Sequence, residues 1–189
     1  MNERLAKLAI LGGFGLKALA SVFSLFTNLF NTADTYMSTA ETVAPISIFS
    51  GFISLIGILG TLAIVGGFAM LFLLGPNILD LVIGGGIAVT LVSPFLPIIL
   101  IYSLALPAQV YSLVATFINI IYITAMLAWA FKMRQSGLPL AVMAIVIGVG
   151  LSFGGGYVTV LTQNTIINNL STIASNGALA FAAFTYYRS

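Results

Sequence analysis

LIGILGTLAIVGGFAMLFLLGPN, residues 55–77, decides the fold of this chain. From Leu55 to Leu74 every residue is apolar or small, and the most polar is Thr61. At about 1.5 Å of rise per residue, a helix of that length reaches the roughly 30 Å of a bilayer's hydrocarbon core. A spanning barrel strand would instead alternate apolar and polar over about 10 residues, and this stretch does not alternate. Gly75-Pro76-Asn77 then supplies a turn, where glycine, a fixed proline φ and an Asn side chain punctuate the chain.

Outward from this stretch the same character persists. Between Glu41 and Lys132 lie 90 residues with one charge, Asp80, and from Gln135 to Tyr187 there is none. Charged residues make up 5% of the 189 and hydrophobic ones 60%, against about 25% charged in soluble domains. A domain of this size buries only about 70% of its unfolded surface, so water cannot be the solvent for most of this chain. The reading is an all-α, polytopic transmembrane bundle forming one integral membrane domain over residues 1–189.

Six apolar segments can be marked: 8–30, 46–74, 78–102, 108–131, 138–161 and 172–187. If all six span and the N-terminus is cytoplasmic, Arg4, Lys7, Lys132, Arg134 and Arg188 fall inside, with both termini. Asp34, Glu41 and the Asn-rich stretch Thr162–Ser171 then fall outside, which satisfies the positive-inside rule. Segments 46–74, 78–102, 108–131 and 138–161 are the clearest spans. The first and last are the alternatives to test. Lys17, Ser21, Ser24 and Asn28 share one helical face of the first, as in an interfacial helix or a span with its polar stripe turned inward. The last is close to the lower length limit for a span. The start also resembles a secretory signal, with Ala18-Leu19-Ala20 after an apolar stretch, but Lys17 beside that site favours retention.

Cysteine and histidine are absent. That excludes disulfides, thiol nucleophiles, imidazole acid–base chemistry and Cys/His metal sites; no cofactor and no metal are expected. The four carboxylates are scattered, so an enzyme is not expected either. A net charge of +2 without a basic cluster gives no purchase for nucleic acid. Lack of cysteine suits a hot or acidic habitat. In composition alone the chain is similar to the small, very hydrophobic membrane proteins of archaea and their viruses.

The candidate chemistry is sparse. Asp80 lies in a helical first turn, where it complements the helix dipole; an ion pair with Lys17 and an intramembrane ion site are the sharper readings. Ser47, Ser50, Ser54, Gly57 and Thr61 form a small, polar stripe, and Gly148, Ser152 and Gly156 form a second. Each stripe either packs helices closely or lines a pore, and packing is the commoner use. The triplets Gly84–Gly86 and Gly154–Gly156 sit at unmatched depths in their segments, so they point to bending or close packing rather than to paired broken helices. Pro94 and Pro97 predict a kink. Asn119 is expected to hydrogen-bond another helix. Tyr102, Tyr111, Trp129 and Tyr157 are expected in aromatic belts. Asn169-Leu170-Ser171 is a formal glycosylation sequon in an expected outer loop.

From the sequence, the leading expectation is a structural or assembly role, as a hydrophobic subunit of a larger membrane complex, a virion membrane or a secretion apparatus. Its partners would be the lipid bilayer and other membrane subunits or copies of itself. A channel or small-solute transporter is the alternative.

Overall fold

The computed structural model describes residues 2–35, 43–96, 99, 107–162 and 164–189, with the side chains at 30–35, 43–48, 94, 108, 160 and 165 set aside. Pro97, Tyr102 and Glu41 lie outside the described residues, and the side chains of Asp34, Ser47 and Pro94 lie outside the described side chains.

The described residues are helical, with no strand. The helices are α1 (Glu3–Thr35), α2 (Val43–Leu74), α3 (Ile78–Val89), α4 (Ala108–Gln135), α5 (Pro139–Thr162) and α6 (Thr165–Arg188); a 3-10 segment, Thr90–Phe95, continues α3. Four helical stretches are long and apolar enough to cross a membrane: Glu3–Leu29, Phe49–Leu74, Gln109–Gln135 and Pro139–Thr159. This set differs from the one read off the sequence. Of the segment beginning at Ile78, the stretch Ile78–Ser93 is a shorter apolar helix, and most of 97–106 lies outside the described residues. The first segment enters the set instead.

The termini of the helices follow local chemistry. Asn77 caps α3 by accepting from the Leu79 N–H at 2.9 Å, as an Asn side chain does for one of the orphan donors of a first turn. Helix α4 ends in a Schellman motif. Gly137, at φ 70°, donates to the Arg134 carbonyl at 3.1 Å, and Leu138 donates to that of Met133 at 3.0 Å. Asn164 caps α6 through the Ile166 N–H at 3.0 Å. Most of Thr162–Ser171, read as a polar loop, is therefore the first turns of α6, and the sequon lies on a helix.

Each helix packs against its neighbours in sequence, and α1 closes on α6. The result is a ring of helices. Helices α1 and α6 are thus ring members rather than amphipathic flanks: Ala6, Ile10 and Phe14 of α1 and Leu179, Ala182 and Ala183 of α6 are buried in the core. Close approach of α1 to α2 depends on Gly13 and Gly67. A Cβ on Gly13 would sit 2.5 Å from the Gly60 carbonyl oxygen, and one on Gly67 would sit 2.6 Å from Ile10 Cγ1.

Levels along the helices divide the ring's interior in two. At one end every helix contributes to an apolar plug: Phe14, Phe68, Ile83 and Ile87, Met126 and Trp129, Ile145 and Leu179. Trp129 is fully buried there, stacked on Phe14 at 5.0 Å between centroids and edge-on to Phe68 at 6.1 Å. It is a core residue, not part of an aromatic belt. Beside the plug at that end lie the basic residues: Arg4 donates to Tyr187 Oη at 3.1 Å, Lys7 lies over the Tyr186 ring, and Arg188 closes α6.

Candidate functional site

Asp80 is 3% exposed and forms a salt bridge with Lys132, whose side chain is 14% exposed. Lys17, the ion-pair partner considered for Asp80 beside the helix-dipole reading, is not the one chosen. The reason is level. Helix α3 starts at the basic end, where α4 finishes, so Asp80 and Lys132 meet there. Lys17 lies 14 residues beyond Glu3, about 21 Å along α1 at 1.5 Å per residue. Asp80 also keeps its place in the first turn of α3, while Lys132 sits in the last turn of α4. Each charge therefore favours the dipole of its own helix as well as the other charge.

Lys17 faces a different environment. It lines a cavity of about 800 Å³ within the ring, together with Thr90, Thr116, Asn119, Tyr122 and Ser152. Gly156, Thr172, Ser175 and Asn176 complete the polar and small part of that wall, beside Phe153 and Tyr157. A second cavity of about 220 Å³ shares Lys17, Thr172 and Asn176 and adds Ser21, Ser24, Gly57 and Asn169. Both lie on the side of the plug away from the basic end, as the levels show: on α4, Thr116, Asn119 and Tyr122 precede plug residues Met126 and Trp129; on α6, Asn169 and Asn176 precede Leu179.

The polar face of α1 is turned toward α6. Asn176 Nδ2 donates to Ser21 Oγ at 2.7 Å, and Ser21 Oγ donates to the Lys17 carbonyl at 2.9 Å. Ser175 Oγ donates to the Gly148 carbonyl at 2.6 Å. The approach is possible because a Cβ on Gly148 would lie 3.0 Å from Leu179 Cγ. Other hydroxyls are spent within their own helices: Thr116 on the Ser112 carbonyl and Thr172 on that of Asn168. Lys17 has no ion pair and no side-chain hydrogen bond among the described residues, and Asn169 Nδ2 is buried without an acceptor. Asn119 faces the larger cavity and makes no interhelical hydrogen bond among the described residues, contrary to expectation.

The two stripes divide between packing and lining. Ser50 and Ser54 are exposed, Gly57 borders the small cavity, and Thr61 is buried with its hydroxyl on the Gly57 carbonyl at 3.0 Å. Gly148 packs against α6, whereas Ser152 and Gly156 line the larger cavity. Both triplets serve close packing: Gly84 faces Phe68, Gly86 faces Ala125, and Gly155 faces Ser171. Asn169 and Asn176 escaped the sequence reading as site residues. Their signal was present, because amides within a largely apolar segment must find partners or water.

Among the described residues these features define an all-helical class: a ring of helices, four stretches of which are long and apolar enough to cross a membrane. No family model, curated protein or solved structure matches the chain.

Proposed function

We propose that the chain is a multi-pass membrane protein with both termini on the cytoplasmic side, forming a gated pathway for small polar solutes or ions. The observation that carries this reading is the cavity of about 800 Å³ lined by Lys17, Asn119, Ser152 and Asn176 inside a ring whose outer faces are apolar. Polar groups inside lipid are costly, and those that persist typically face a bundle interior or a water-filled space. This chain is short of polar groups, yet it gathers many of them on that wall.

The plug supplies the gate. Apolar constrictions block ions by dewetting, and Trp129 between Phe14 and Phe68 fills the ring beyond the chamber. The assembly role suggested by composition draws its support from the exposed apolar faces, which lipid covers equally well. The chamber weighs towards permeation.

The test is flux into phosphatidylcholine vesicles containing the purified protein, with glycerol and chloride as probes. Trp129→Ala, by opening the plug, should raise the flux of at least one probe well above wild type. Absence of flux in both proteins would defeat the pathway. Co-purification with other subunits in fixed stoichiometry, again without flux, would return the assembly role to the lead.

A further inference from the structure

The small cavity between α1, α2 and α6 combines three properties. Among the described residues its one charged lining residue is Lys17, no carboxylate lines it, and Lys17 has no ion pair. We infer that it is a binding site for a small, singly charged inorganic anion such as chloride or nitrate, held by Lys17 Nζ and the Ser24 hydroxyl. This inference rests on the permeation reading and names the class of solute it would select.

The argument is one of charge and donors. Removing an ammonium from water without a countercharge costs several kcal/mol after relaxation. The described carboxylates are committed elsewhere, Glu3 to Lys7 and Asp80 to Lys132. Asp34 lies 17 residues beyond Lys17 on the same helix, about 25 Å along the axis. Among the described residues, therefore, none supplies Lys17 with an anion, and the cavity of about 220 Å³ beside it leaves space for one. One positive charge is balanced by one negative charge, which selects a monovalent ion; a divalent ion would leave a net charge buried. A cation would face an ammonium and no carboxylate. The amide of Asn176 is already committed to Ser21, which leaves the Ser24 hydroxyl as the neutral donor on that wall.

The test uses purified full-length protein, titrated with sodium chloride or sodium nitrate against sodium gluconate at constant ionic strength, with Tm as the first readout. Tm should rise saturably with chloride and nitrate over gluconate. The response should vanish in Lys17→Gln and persist in Lys17→Arg. In Ser24→Ala the half-saturating concentration should rise about tenfold or more, the scale of a hydrogen bond to a charged group. Vesicle flux separates this inference from the pathway. Lys17-dependent stabilisation by chloride without flux of any probe would sustain the site and defeat the pathway. Glycerol flux with no chloride effect on Tm would defeat the site and leave the pathway standing. An equal chloride response in wild type and folded Lys17→Gln would also overturn the site. If Lys17→Gln does not fold, the wild-type preference for chloride over gluconate and its weakening in Ser24→Ala decide the matter, and absence of either refutes the site.

Discussion

Removing Lys132 should damage this protein more than removing Asp80, and removing both should do less harm than removing Lys132 alone. The asymmetry follows from burial: the Asp80 side chain is 3% exposed and that of Lys132 is 14%. In Lys132→Met a carboxylate remains buried with no countercharge, which costs about 3–5 kcal/mol. In Asp80→Asn the remaining ammonium can turn its head to water on its long stem. The amide still accepts a hydrogen bond, so the loss is about 1–2 kcal/mol. In the double variant neither charge is stranded, and stability should return to within about 2 kcal/mol of wild type. Exchanging the two, as Asp80→Lys with Lys132→Asp, restores the attraction but sets both charges against their helix dipoles, a reversal of about 1–4 kcal/mol in total. The assay is equilibrium unfolding in mixed micelles at increasing SDS fraction, followed by the fluorescence of Trp129, the single tryptophan of the chain. A double variant no more stable than Lys132→Met, or Asp80→Asn as costly as Lys132→Met, would refute the reasoning.

Three further outcomes are expected. Gly13→Val should cost about 1–3 kcal/mol by overpacking, because its Cβ would lie 2.5 Å from Gly60 O, whereas Gly12→Ala meets nothing within 4 Å and should be neutral in the same unfolding assay. Trp129→Phe should lie within about 1.5 kcal/mol of wild type, since losing an indole N–H that has no partner offsets part of the lost packing; circular dichroism against temperature reads this, and a loss above about 3 kcal/mol, the scale of truncation to Ala, would show that the N–H is satisfied. The chain has no cysteine, so single cysteines at Asp34 and Gln135 should label with an impermeant maleimide from opposite sides of the membrane, and labelling from one side would break the six-span topology.

Helical class was legible because hydropathy is a local, additive property: Leu55–Leu74 needs no knowledge of any other segment to be read as a helix. Turn chemistry was equally local at Gly75-Pro76-Asn77 and Gln135-Ser136-Gly137. Where local reading failed, a neighbour in space had intervened. Thr162–Ser171 looked like a loop because it is polar, but Asn164 caps a helix there and Asn169 turns into a cavity. Trp129 looked interfacial from its place near a segment end, yet the ring closes around it. The Asp80 partner was within reach of sequence reasoning. In the six-segment order, Lys132 reaches the end at which α3 begins, and Lys17 does not.

By itself, then, the chain's sequence determined a charge-poor helical protein, because composition and spacing act within single segments. Tertiary structure alone decided that α1 closes on α6 and that Asp80 takes Lys132. It also decided that Lys17, Asn119, Asn169 and Asn176 converge on one interior. The physical reason is that a helix's polar face records only the need for a polar neighbour. Which helix answers that need depends on how the ring packs, as when Asn176 meets Ser21 from 155 residues away.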